Sequence, residues 1–288
     1  ENALKSELGD QLKMDATTSA FGLAEVVDEN MANAARVHAV ENGEDLSEYT
    51  MIAFGGAAPL HAGRLCEKLG VNRLLVPPGA GVGSAIGFLR APFSFEANRS
   101  VYMTLKSFDP KKVKDILSNL KIEATAFVQN CNTVSPILAE FKVYMRYSGQ
   151  GWEIPITLNE NQAMNPNVSE FENRFIEDYT KLFGRPVEGM NIEITVWSVN
   201  ATTPPETVSR VAEKIAGEAA LIQCDRNLFD PALAEFVNAS VILREHMKSG
   251  SVTQGPSIIT EDETTIIVPS SRDAICQPDG CIDITRKI

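Results

Sequence analysis

The stretch MIAFGGAAPLHA, Met51 to Ala62, constrains the fold of this chain more than any other. Tyr49 to Phe54 is an unbroken apolar run of the length of a buried strand, and it stops abruptly at Gly55-Gly56. Pro59 to Leu69 then takes up helical spacing with Gly70 beyond its end, and Arg73 to Val76 makes a second short strand before Pro77-Pro78-Gly79. Strand, glycine turn, helix, strand is the order of an α/β unit. Such a turn brings bare backbone to the C-terminal edge of a sheet, where ligands of α/β proteins collect. The N–H groups of the following helix and its dipole favour a phosphate or another electron-rich group near Ala57 and Ala58. The same spacing also fits a tight turn that holds no ligand.

Upstream, Thr17 to Asn42 predicts a long helix, with Thr18 as N-cap, a stripe of Phe21, Leu23, Val26, Val27, Met31, Ala34, Ala35 and Val37, and Gly43 as the stop. Downstream, Gly79, Gly81, Gly83 and Gly87 interleave with small residues, which implies close contact with a ligand or another helix, and Pro92 ends the unit. The pattern then changes. Strands are expected at Phe93 to Leu105, Ile137 to Tyr147, Trp152 to Leu158 and Asn191 to Asn200, with helices at Pro110 to Asn130 and Val168 to Leu182. Beyond Pro204-Pro205 the chain reads as β, at Ala219 to Cys224, Val237 to Leu243, Ser257 to Ile259, Thr264 to Val268, Arg272 to Cys276 and Cys281 to Ile284. The expected division is an α/β domain over residues 1–92 and an α+β, β-rich domain over residues 93–288.

Composition narrows the function. Twenty-six basic against 38 acidic residues give a net charge of −12, which opposes attraction to nucleic acid and to anionic lipid. No window approaches the apolar length of a membrane helix, and the first residues lack a signal-peptide layout. Five cysteines without a CxxC argue against a disulfide framework or a zinc finger and fit a reducing cytoplasm. Three histidines, His38, His61 and His246, form no local ligand pair, so no metal site is assigned. The chain begins with Glu1 instead of Met, which leads us to expect either an upstream partner or a trimmed start.

Few side chains carry a chemical signal. His61, one turn into the helix after Gly56, could bond a ligand or carry a proton, or it could tie the helix to a backbone carbonyl. In YMRYSGQGWE, Tyr144, Arg146 and Ser148 share one strand face; Arg146 could clamp a carboxylate or phosphate, with Gln150 beside it, or pair with an acidic neighbour or a partner subunit. QGPSIITEDETTIIVP, Gln254 to Pro269, reads as a hairpin whose acidic tip Glu261 to Glu263 lacks the alternation of a calcium loop and fits a solvated turn. Cys276 and Cys281 flank a Pro-Asp-Gly turn as free thiols. No catalytic residue is assigned.

Taken together, IAFGGAAPLHAGRLCEKLGVNRLLVPPGAGVGSAIGFLRAP, MRYSGQGWEIPI and QGPSIITEDETTIIVP resemble the C-terminal half of the hydantoinase A / 5-oxoprolinase / acetone carboxylase β-subunit family. The blocks cover nearly the whole chain, and Ala58 stands where the family's FGGAGPLHA pattern has glycine. The resemblance implies the C-terminal part of an actin-like ATPase (sugar kinase/Hsp70/actin) domain followed by an α+β, β-rich domain. Carried over, it sets Gly55, Gly56 and Ala57 beside the adenosine of ATP with His61 nearby. The family's N-terminal phosphate-binding hairpin has no counterpart here, so Mg2+ ligands are expected mostly from a missing N-terminal half.

The resemblance further implies a subunit or fragment that works with an N-terminal hydantoinase A-like half or subunit and a hydantoinase B-like subunit. The small-molecule substrate is then a lactam or imide whose carbonyl is phosphorylated for ring-opening hydrolysis, or a ketone that is carboxylated. A non-catalytic assembly subunit is the alternative from another class, and the isolated chain is expected to be inactive.

Overall fold

The computed structural model describes residues 1–131, 134–205 and 217–287. The chain forms two compact units, one of residues 1–89 and 209–288, the other of residues 90–208. It opens with short helical turns α1 (Asn2–Leu4) and α2 (Asp10–Leu12), then α3 (Ala16–Asn42), β1 (Thr50–Ile52), α4 (Ala58–Leu69), β2 (Arg73–Val76) and α5 (Gly83–Arg90). The second unit contains β3 (Ser94–Arg99), β4 (Met103–Thr104), α6 (Pro110–Asn130), β5 (Leu138–Tyr147), β6 (Ile154–Leu158), α7 (Glu160–Met164), α8 (Val168–Phe183) and β7 (Ile192–Thr202). The chain then returns to the first unit with β8 (Cys224–Asp230), β9 (Glu235–Leu243), β10 (Val252–Gln254), β11 (Ser257–Thr260), β12 (Thr265–Val268), β13 (Arg272–Cys276) and β14 (Ile282–Arg286).

That return is where the structure departs from the expected division. The first crossing, between 89 and 90, falls close to the boundary read after residue 92, but residues 209–288 do not continue the same domain. Their strands complete the first unit's sheet, whose order is β1-β2-β14-β13-β10, with β1 parallel and β14 antiparallel to β2. The physical reason is that β1 and β2 supply only two strands, too few to cover the apolar face of α4. A second sheet of this unit, β12-β11-β9-β8, closes the other side. The core between them joins Ala62 and Cys66 of α4, Leu74 and Val76 of β2, Ile266 and Val268 of β12, and Ile282 and Ile284 of β14. Arg272, fully buried, donates to the carbonyls of Val71 and Asn72 just past the end of α4.

Two expectations for the first unit change. The N-cap of α3 is Asp15, which accepts from the Thr18 N–H at 2.7 Å, and Gly43 closes the helix at φ 71° as read. Its attachment to α4 is ionic instead of apolar. Arg64 donates to both carboxylate oxygens of Glu25, and Lys68 to Glu25 and Glu29, while Leu23, Val26, Val27 and Val37 stay exposed. The run Tyr49–Phe54, expected as a buried strand, yields a three-residue edge strand with Ile52 and Phe54 exposed.

In the second unit the sheet order is β3-β7-β5-β6, with β4 also on β7. Phe141, Val143, Met145 and Tyr147 alternate inward along β5 and meet Leu117 and Leu120 of α6 and Phe171 and Phe175 of α8. A register shift leaves Thr195 of β7 without an opposite number, so Ile192 and Ile194 on one side of it, and Trp197, Val199 and Ala201 on the other, all reach the core. Arg146 keeps to the structural role. Its Nε lies 2.6 Å from Glu193, which also accepts from the Tyr102 hydroxyl at 2.7 Å and Ser148 at 3.3 Å. The Tyr102 hydroxyl, and then the Arg146 guanidinium, hold the Glu193 carboxyl below its ordinary value against the opposing effect of burial. Gln150 donates to the Tyr179 hydroxyl.

Candidate functional site

At the end of β1 the chain turns through Gly55 at φ 110°, a conformation that side-chain-bearing residues rarely adopt, and α4 starts at Ala58. Ala57 occupies the N-cap without a side-chain capping bond and Pro59 sits at the second helical position. The first N–H groups of α4 therefore lack a side-chain cap. Gly56 and Ala57 are exposed and Gly55 is half-buried. A Cβ at Gly55 would meet nothing within 4 Å, so the turn presents an open shelf of main chain.

Two segments far away in sequence shape this shelf. The Gly55 N–H donates to the Ala80 carbonyl at 2.7 Å, which fixes the glycine turn against the loop 79–82. The Thr264 hydroxyl donates to the Gly56 carbonyl at 2.7 Å, and Glu263 backs directly on Gly81, so the tip of the β11–β12 hairpin lies against the same turn. The tip is the solvated turn expected from the sequence at Asp262 and Glu263, and it also rests on the glycine turn through Thr264. Arg244 anchors it, bonding Glu261 and the carbonyls of Val76 and Gly280. Asp262 and Glu263 stay exposed and line a cavity with Arg244.

His61 points to α3, where its Nδ1 is 2.8 Å from the carboxylate of Asp28, itself buried to 5% exposure. It ties two helices together, through a carboxylate instead of the backbone carbonyl anticipated from sequence. Ala58 also differs in effect from what a methyl in a ligand shelf would do: it is half-buried and packs against the core. Three cavities of this unit, of about 530, 520 and 280 Å³, are lined by other residues; Gly55, Gly56, Ala57 and His61 line none of them. Among the described residues no group of three or more His, Cys, Asp or Glu side chains could hold a metal ion. No described helix is long and apolar enough to cross a membrane.

The turn offers exposed backbone against which a flat group can lie. Ala80, Thr264 and Asp28 were invisible as site residues in the sequence, because their partners lie tens to hundreds of positions away and no local spacing marks them.

Caprolactamase subunit alpha of Pseudomonas jessenii is 23% identical over 99% of this chain and 42% of its own length. The acetone carboxylase beta subunit of Xanthobacter autotrophicus is 22% identical over 93% of this chain and 39% of its own. The solved structure of the ATP-dependent caprolactamase from Pseudomonas jessenii superposes with a TM-score of 0.75 at 21% identity, covering 100% of this chain and 42% of the other. That likeness supports the fold class read from the sequence, the actin-like ATPase part with a β-rich remainder. The chain thus spans about two-fifths of the length of these proteins. The hydantoinase/oxoprolinase model matches residues 1–97 and the hydantoinase/oxoprolinase C-terminal domain model residues 106–280, and on these consecutive matches the chain belongs to the hydantoinase/oxoprolinase family.

Proposed function

We propose that this chain forms one wall of an ATP site in an enzyme that activates a lactam or imide carbonyl for ring-opening hydrolysis. It would do so together with an N-terminal hydantoinase A-like half or subunit and a hydantoinase B-like subunit. The observation that carries the reading is the open main chain of Gly55, Gly56 and Ala57 at the end of β1, in a family with ATP-dependent relatives. When bound, ATP supplies a phosphoryl group that turns a carbonyl oxygen into a leaving group. The backbone of Gly55, Gly56 and Ala57 would receive the adenosine, and His61, held by Asp28, stands at the first turn of the helix behind them. Magnesium would be held mainly by residues of the other half and would neutralise phosphate charge. A reducing cytoplasm suits the five free thiols.

Cyclic amides lead because the family description and the caprolactamase relative both concern them. The acetone carboxylase relative sustains a second reading, ATP-dependent carboxylation of a ketone. The experiment is ATP turnover by the reconstituted assembly against a panel of lactams, imides and ketones, with and without bicarbonate. Lactam-dependent turnover without bicarbonate is expected, and Gly56→Val, which covers the shelf, raises the KM for ATP at least tenfold. Turnover that requires ketone and bicarbonate transfers the assignment to carboxylation. Absence of any nucleotide binding by the assembly leaves a non-catalytic assembly subunit.

A further inference from the structure

We propose that the free edge of β1 is a docking strand: a β-strand of the polypeptide corresponding to the part of its relatives that this chain does not cover joins the sheet there. The inference rests on the partner half invoked above and adds where that half attaches.

The residues Tyr49 to Phe54 carry no charge and no proline. Such a run belongs to a strand covered on both faces, yet only one face is covered here. Ala53 is buried in the core, whereas Ile52 is 60% and Phe54 58% exposed. The strand is also open along its edge. Among the described residues it pairs with β2 alone, and the Ala53 N–H donates to Leu75 at 2.9 Å. Because successive residues of a strand turn their main-chain groups to opposite sides, Ile52 directs its N–H and C=O outward.

The opposite edge of the same sheet is treated differently. There the segment at Glu218 to Ala220 runs along β10, with Ala220 donating to Val252 and Val252 donating to Glu218. One edge is therefore sealed by the chain itself, and the other lacks the lysines, prolines and inward charges that guard a permanent edge. The occupant is indicated by length. This chain matches 42% of the caprolactamase structure over its own full extent, which leaves more than half of the related polypeptide to supply the strand and the apolar cover for Ile52 and Phe54.

Hydrogen exchange of residues 1–288 alone, compared with the same residues in the assembly purified from cells that produce it, tests this without nucleotide. The amides of Thr50, Ile52 and Phe54 are expected to exchange at least tenfold more slowly in the assembly. Ile52→Pro removes an N–H that β2 does not use, and Ile52→Asp charges the uncovered face; each should weaken association with the family polypeptide, identified by mass spectrometry, at least tenfold. Unchanged exchange in the assembly overturns the proposal, as does equal capture by folded variants or the absence of any family polypeptide. A dimer of this chain that Ile52→Pro abolishes assigns the edge to a second copy and overturns it as well. If the variants unfold, the exchange comparison on the unaltered sequence decides. Since ATP is absent throughout, loss of the nucleotide reading leaves this result standing.

Discussion

Replacing Gly81 by alanine tests whether the hairpin tip frames the glycine shelf. An added Cβ would lie within van der Waals overlap of the Glu263 Cβ and 2.9 Å from the Glu263 carbonyl oxygen. Neither neighbour is the free end of a flexible side chain, so the tip must move by about 1 Å to reach ordinary contact. Overpacking of this kind costs about 1–3 kcal/mol. Alanine gains about 0.4–1 kcal/mol by restricting the unfolded chain, leaving a net loss of about 1–2 kcal/mol. For a unit of this size each kcal/mol moves the midpoint by about 2–4 °C, so Gly81→Ala should lower Tm by about 2–8 °C. Gly87→Ala is the matched control. Gly87 is exposed in α5 and a Cβ there meets nothing within 4 Å, so the same chemical change should raise stability by about 0.5–1 kcal/mol. Calorimetry of both variants gives opposite signs if the tip is seated on the loop. An increase in Tm for Gly81→Ala equal to that of Gly87→Ala would refute the packing described.

Other perturbations follow from the α3–α4 contact and the thiols. His61→Ala leaves the buried Asp28 carboxylate without its imidazole and should cost about 1–3 kcal/mol in urea unfolding, with Asp28→Asn/His61→Ala less destabilised than His61→Ala alone. Arg36 and Lys68 hold the Glu29 carboxyl down to about 2, and Arg64, then Lys68, lower that of Glu25 against burial. Groups with depressed folded values stabilise above their unfolded value of 4.5 and lose that contribution as pH falls toward 2. Acid titration of Tm should therefore steepen below pH 4.5, and Glu25→Gln should flatten the slope. Burial pushes the Cys66 and Cys281 thiols up to about 11, whereas Cys224 is exposed. A maleimide at pH 7.5, mapped by mass spectrometry, should label Cys224 first and Cys66 only on unfolding.

What the sequence made legible was local. The strand, glycine turn and helix at Met51 to Leu69, the stop at Gly43 and the hairpin at Ser257 to Val268 are each marked by residues within a few positions of one another. What it concealed depends on distant partners. β8 begins CDRN, with no alternation to read, and exists because it pairs along β9; the strand expected at Ala219 to Cys224 reduces to a bridge with Val252. The apolar residues of α3 suggested its buried stripe, yet Glu25, Asp28 and Glu29 face α4 because Arg64, Lys68 and His61 await them there. At the site, Gly55 and Gly56 announced a turn, while the hydroxyl that clasps Gly56 sits some two hundred positions onward.

The central position of β14 has a consequence for biosynthesis. The strand that bridges β2 to β13 leaves the ribosome after the inserted unit, so β1 and β2 must wait, with β2 missing a neighbour, while that entire unit emerges. The inserted unit needs no residue outside its own span for its sheet and can fold during that delay. A nascent chain arrested before residue 282 should therefore hold a folded middle between unfinished ends, and chaperones that bind exposed apolar strands would find β1 and β2 first.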